Sequence, residues 1–180
     1  MVERHYRSGS LEETRRLGEA LGHIAPANLV LALEGDLGAG KTVLVGGLAA
    51  GLGQSAEVQS PTFTIQRIYQ DPEARLPLYH FDCYRLANGE DFRNAGLEDY
   101  LTAGGVSVLE WAEIVQDVLP EDAWWMRLER RTGDEPAWTK LEDGTIVLDA
   151  DNGLRLFTLT LPASYAEQLD ARLADRETHI

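Results

Sequence analysis

Residues 35–42 read Gly-Asp-Leu-Gly-Ala-Gly-Lys-Thr. The pattern G-x-x-x-x-G-K-[ST] has one well-defined chemical use, the cradling of a nucleotide polyphosphate. Gly35, Gly38 and Gly40 let the backbone close around phosphate with no Cβ in the way. The N–H groups of such a loop form an anion-binding concavity, and a helix starting there points its positive end at the same anion. The loop Gly35, Asp36, Leu37, Gly38, Ala39, Gly40, with Lys41, Thr42 and Val43 at the helix start, is therefore the expected nucleotide-binding segment. Lys41 would reach the β- and γ-phosphates, and Thr42 would offer its hydroxyl to Mg²⁺.

Hydrolysis needs carboxylates near the metal and the attacking water. Two stand out. Glu110 closes the apolar run Val106-Ser-Val-Leu, where this class of fold places its second acidic motif, and is a candidate catalytic residue and metal ligand. Asp82 lies in the aromatic run Leu78-Tyr-His-Phe-Asp-Cys-Tyr, where a buried carboxylate is costly without a partner or a metal. Thr62 and Thr64 follow the first strand–helix unit, a region that senses the γ-phosphate in many nucleotide switches. His80 reads as packed rather than catalytic. Trp111 is open to three readings: core, nucleotide neighbour or partner anchor. Cys83 has no second soft ligand nearby, which argues against zinc. Neither Asn-Lys-x-Asp nor D-x-x-G occurs, so ATP rather than GTP is the expected nucleotide.

These residues need elements to hold them. Asn28–Glu34 is an apolar run suited to a buried parallel strand. Val43, Leu44, Leu48 and Leu52 recur at helical spacing, and Gly53 is a stop signal. Upstream, Ser10-Leu-Glu-Glu13 fits a capping box for a helix from Leu11 to Leu21, ended by Gly22. Phe63, Ile65 and Tyr69 suggest a strand. It connects through Asp71–Pro77 to the strand of Asp82, so the two form an antiparallel hairpin and the sheet is mixed. Glu90–Leu101 reads as short helices broken near Gly96, Ala112–Leu119 as helix and Trp124–Arg130 as strand. Arg131–Gly144 reads as loop. Thr145–Ala150 and Leu154–Leu161 flank Asp151-Asn-Gly153 and read as a hairpin. Ser164-Tyr-Ala-Glu167 reads as the cap of a final helix. The expected class is α/β: a P-loop NTPase-like three-layer fold, its mixed sheet flanked by helices, with a C-terminal hairpin and helix. Residues 1–180 form one domain, of which about 131–180 is an extension.

The 180 residues carry 30 acidic and 16 basic side chains, a formal charge of −14. Such a chain is repelled by nucleic acid unless it hides a basic patch, and no run of Lys or Arg makes one. Only Lys41 and Lys140 are lysines. With one cysteine, no apolar signal core near the start and no span long enough for a bilayer, the expected location is the cytoplasm.

Taken together, Gly35–Thr42, Ser60-Pro-Thr-Phe-Thr64, His80-Phe-Asp-Cys-Tyr-Arg-Leu86 and Glu110-Trp-Ala-Glu113 closely resemble the bacterial TsaE family. These are small ATPases required for making threonylcarbamoyladenosine in tRNA. The likeness runs from about the first helix to about Arg130. It implies MgATP binding, slow hydrolysis and docking onto the TsaB–TsaD pair, in which TsaD carries out the transfer to adenosine. TsaE does not transfer the group; its ATP cycle resets the complex between turnovers. By position, Lys41 and Thr42 hold phosphate and Mg²⁺, Glu110 resembles a metal-side carboxylate, and Asp82 a second acidic group at the γ-phosphate. Thr62 and Trp111 fall in motifs linked to nucleotide sensing. Contact with tRNA is then indirect, through partner proteins. The competing reading on the same loop is a small-metabolite kinase. It needs an arginine-bearing lid, and Glu90–Leu101 is acidic with only Arg93. No arginine stands in an evident position to act in cis on the γ-phosphate.

Overall fold

The sheet is built outward from β2 (Val30–Glu34), whose apolar residues are buried on both faces. Leu31 and Leu33 enter one core cluster, while Val30 and Ala32 enter the other, as the two-residue period of a strand requires. In the computed structural model, residues 1–131, 138–140, 146–148 and 153–177 are described. β2 lies parallel to β5 (Val106–Glu110) on one side and to β6 (Trp124–Arg131) on the other. β4 (Leu78–Asp82) adds parallel to β5, and β3 (Gln66–Tyr69) closes that edge antiparallel. Beyond β6, β9 (Leu154–Leu161) and β1 (Val2–Ser8) run antiparallel. The seven-stranded order is β1-β9-β6-β2-β5-β4-β3, a mixed sheet as expected.

Helices α1 (Leu11–Ile24), α2 (Lys41–Leu52) and α4 (Ala163–Glu177) cover one face, burying Leu17, Leu21, Leu44, Leu48 and Leu169. The other face is covered by α3 (Gly89–Asn94) and three 3-10 turns, around Phe81, Phe92, Leu101 and Val115. Among the described residues, no helix is long and apolar enough to cross a membrane.

Several local expectations give way to packing. β1 is absent from the sequence reading, because its alternation of Val2, Arg4 and Tyr6 with charged residues carries little apolar signal; pairing with β9 supplies the order. The segment 61–65 is a turn rather than strand, with Thr64 and Ile65 N–H groups both donating to the Pro61 carbonyl. α4 begins before Ser164, so Ser164 is not its cap. The hairpin expected between 145–150 and 154–161 does not form. β8 (Ile146–Leu148) pairs instead with β7 (Trp138–Lys140), inside the stretch read as loop, and β9 joins the main sheet. Inward-facing Phe157, Leu159 and Leu161 are buried there, an apolar gain that outweighs a local turn preference. Asp151 and Asn152 of the expected turn lie outside the described residues.

α1 also runs past Gly22, which is a packing residue and not a stop. A Cβ on Gly18 would sit 2.1 Å from the Leu44 carbonyl oxygen, and one on Gly47 only 2.0 Å from that of Arg15. Gly22 and Gly51 form a second such pair. The two helices therefore meet backbone to backbone, and α2 is held where its first turn can serve the loop before it. Alanine is the better helix former by about 1 kcal/mol. Gly47→Ala is nonetheless expected to destabilise the protein by about 1–3 kcal/mol or more, because a methyl group has no room. Urea unfolding checks this, and a stabilised variant would refute the close approach.

Candidate functional site

β2 ends at Glu34 and the chain enters the loop through three glycines with positive φ, Gly35 at 143°, Gly38 at 79° and Gly40 at 108°. Gly35 has a second duty. A Cβ there would lie 2.4 Å from the Leu128 carbonyl oxygen, so its absence seats the loop on β6. Gly40 is the left-handed N-cap of α2. Leu37 stands out at the loop tip, Ala39 is buried, and Val43 lines the cavity below. Lys41 folds back over the loop. Its Nζ donates to the carbonyls of Gly35 at 2.5 Å and Asp36 at 3.0 Å, and sits 4.4 Å from the Trp111 ring centroid. Burial lowers the Lys41 pKa, opposed by the charges of Glu110, Glu113, Asp82 and Asp36.

The parallel register brings the carboxylates to this loop. Glu110 lies opposite Leu33 of β2 and opposite Asp82 of β4. Both acids are almost fully buried, Asp82 at 5% and Glu110 at 4% exposure. Thr42 Oγ1 donates to Glu110 Oε1 at 3.3 Å, and His80 Nε2 donates to the same oxygen at 2.8 Å. Thr62 Oγ1 donates to Asp82 Oδ2 at 2.8 Å, while the Tyr84 N–H donates to Asp82 Oδ1 at 3.0 Å. Ser60 and Thr62 share a further hydroxyl bond at 2.7 Å. Thr64, by contrast, turns to the Pro61 carbonyl and does not line the cavity.

Trp111 takes a left-handed backbone, φ 60° and ψ 40°, costly for a bulky residue. Its ring meets Lys41 Nζ and also the Tyr84 ring, whose centroid is 5.1 Å away. Cys83 is buried, and burial, with the charges of Asp82, Glu113 and Glu110, pushes its thiol up to about 12.

Lys41, Thr42, Thr62, Asp82, Glu110 and Trp111 all line one cavity of ≈ 820 Å³, within the usual range for small-molecule sites. Thr42 and Glu110 offer hard oxygen donors side by side. Among the described residues, no group of three or more His, Cys, Asp or Glu could hold a metal alone. A hydroxyl and a carboxylate are donors of the kind Mg²⁺ accepts, with substrate phosphate and water completing its shell.

Three residues escaped the sequence reading as parts of this site. His80 shares a face of β4 with Asp82, two residues on, and that spacing was the available signal. Arg130 and Arg155 also line the cavity. Arg155 holds an inward position in the alternation Arg155, Phe157, Leu159, Leu161, so a charge in phase with core residues was the clue. Their placement puts two arginines of this chain on the cavity wall, which the sequence reading did not anticipate.

Known proteins resemble this chain in sequence and in fold. The family model for "Threonylcarbamoyl adenosine biosynthesis protein TsaE" matches residues 8–137. A relative from Treponema pallidum (strain Nichols), named tRNA threonylcarbamoyladenosine biosynthesis protein TsaE, is 46% identical over 114 residues, 63% of this chain and 82% of its own. One of the same name from Bacillus subtilis (strain 168) is 39% identical over 135 residues, 75% of this chain and 83% of its own. The crystal structure of Bacillus subtilis YdiB superposes with a TM-score of 0.70 at 30% identity, covering 98% of this chain and 97% of that one.

His80 is fully buried against the Glu110 carboxylate. Removing the donor in His80→Leu leaves, among the described residues, the longer bond from Thr42 as the one hydrogen bond to that carboxylate, and is expected to cost about 1.5–3 kcal/mol. Chemical denaturation measures the loss; an unchanged midpoint would mean that the bond contributes nothing net.

Proposed function

The chain belongs to the TsaE family of threonylcarbamoyl adenosine biosynthesis proteins, and from that premise we propose that it is an ATP-binding, slowly ATP-hydrolysing accessory protein of threonylcarbamoyladenosine modification of tRNA. The observation that supports this most directly is a convergence. The hydroxyl of Thr42 reaches Glu110, the hydroxyl of Thr62 reaches Asp82, and both pairs share a cavity with Lys41.

In this reading, Lys41 exchanges its bonds to the Gly35 and Asp36 carbonyls for bonds to the β- and γ-phosphates. The anion replaces the favourable environment that burial removes from the ammonium group. The backbone N–H groups at the start of α2 bind the same polyphosphate, and the glycines keep the loop open to it. Thr42 and Glu110 would hold Mg²⁺, which would supply charge neutralisation at the transferring phosphoryl group. His80 fixes the Glu110 carboxylate in place. Asp82 is anchored through both oxygens, to Thr62 and to the Tyr84 N–H, and stands ready to orient the attacking water. Trp111 packs against Lys41 and helps to exclude bulk solvent.

Release of phosphate from MgATP tests the chemistry. Lys41→Ala is expected to abolish binding in a protein that still folds. Glu110→Gln and Asp82→Asn keep shape and lose charge, and each is expected to slow hydrolysis about tenfold or more, which is ~1.4 kcal/mol of transition-state stabilisation. Wild-type turnover in both would place the acidic chemistry elsewhere. Phosphate appearing only when a small-molecule acceptor is added would favour a kinase instead.

The assembly reading predicts a second outcome. With 30 acidic against 16 basic residues, the chain alone is expected to bind tRNA negligibly at physiological salt. Turnover is expected to rise with the TsaB–TsaD pair and not with tRNA alone. Tight, salt-sensitive tRNA binding by the isolated chain would contradict indirect action.

A further inference from the structure

We infer that Arg155 and Arg130 form a second phosphate-binding element of the nucleotide cavity, supplied in cis by β9 and β6. The inference rests on the nucleotide reading of this cavity and concerns the end of the polyphosphate nearest Gly40.

The two arginines are register partners across the β6–β9 pair, so they emerge on the same face. Both line the cavity that holds Lys41 and Thr42. In a chain of formal charge −14, this puts two guanidinium groups on the wall of the same cavity as the lysine of the loop.

Each is steered there by its surroundings. Arg155 is only 2% exposed, yet it borders the cavity. Its Nε and Cδ lie 3.2 and 3.4 Å from where a Cβ on Gly40 would be, so the guanidinium end packs against the residue preceding Lys41. Arg155 Nη1 donates to the Gly153 carbonyl at 3.2 Å. Arg130 crosses the same glycine: a Cβ on Gly153 would sit 2.6 Å from Arg130 Nε. Gly153 thus makes room for one arginine and orients the other.

The strand order gives the pair its role. β5 and β4, with Glu110 and Asp82, lie to one side of β2, whereas β6 and β9 lie to the other. Among the described residues, the two carboxylates therefore line one end of the cavity and the two arginines the other, with the loop between them. A metal-assisted γ-phosphate fits the acidic end. The planar forks of Arg130 and Arg155 suit the non-bridging oxygens of the rest of a nucleoside di- or triphosphate.

The test is titration calorimetry with ATP, ADP and inorganic tripolyphosphate on the wild type, R155M, R155K, R130M and K41A. Arg130 is exposed, so R130M keeps the experiment usable if R155M fails to fold. R155M is expected to weaken ADP and tripolyphosphate binding alike by about tenfold or more, with a shallower salt dependence. R155K should recover part of the loss, since it restores charge without the fork, and R130M should show a smaller loss of the same kind. Unchanged affinity in R130M and in the folded Arg155 variants, with K41A defective, would overturn the proposal and leave the arginines structural. A wild type that binds neither ATP nor ADP would instead defeat the nucleotide reading, and the inference with it.

Discussion

Parallel register is the constraint on which the site depends. Glu110 must lie opposite both Leu33 and Asp82, because only that alignment brings the ends of β2, β5 and β4 to one line beside the loop. The register is not free to slip. β2, β4 and β5 are buried on both faces, and a shift of one residue would exchange the side chains of the two core clusters. A slip would also turn His80 and Asp82 away from Glu110 and Thr62. The packing of the core and the spacing of the carboxylates are thus one requirement met by the same pairings.

Charge is distributed across this frame in a way the net value hides. The chain as a whole is strongly acidic, yet Lys41 lies within the loop between carboxylates on one side and two arginines on the other. A buried charge is tolerable only when something compensates for the lost water. For Asp82 and Glu110 the compensation is visible as donors on Thr62, Tyr84, Thr42 and His80. For Lys41 it is partial: two carbonyls and an aromatic face accept it, while burial still lowers its pKa. An anionic ligand would remove that deficit, so the same desolvation that disfavours the empty site favours the filled one.

Backbone irregularity is concentrated around the cavity. Among the described residues, Trp111 and Ile65 are two of the three non-glycine residues with positive φ, a conformation disfavoured for bulky and β-branched side chains. Trp111 touches Lys41. Ile65 ends the turn that carries Thr62, and its carbonyl accepts the Asp82 N–H at 2.9 Å. Both sit where a segment holding a site residue leaves regular structure, the usual place for strain retained by its surroundings. The regular part of the molecule behaves in the opposite way. The four glycines between α1 and α2 forgo helix propensity for close packing, which fixes α2 firmly beneath the loop.

What the sequence determined by itself was local or periodic. The loop Gly35–Thr42, the buried strand before it, the helix to Gly53, the mixed sheet and the candidacy of Glu110 and Asp82 all follow from glycines, apolar periods and a costly carboxylate in an apolar run. Those signals act over a few residues, so they can be read without a fold. The tertiary structure decided whatever depends on partners distant in the chain. It gave Gly22 a packing role, made β1 a strand through β9, and paired β8 with β7 while β9 joined the main sheet. It also placed His80 on Glu110 and brought Arg155 beside Gly40, across more than a hundred residues of chain. An arginine in an alternating strand carries no mark of which charge or cavity its neighbour strand will present. That information resides in the pairing of strands, and strand pairing is fixed by burial of the whole sheet.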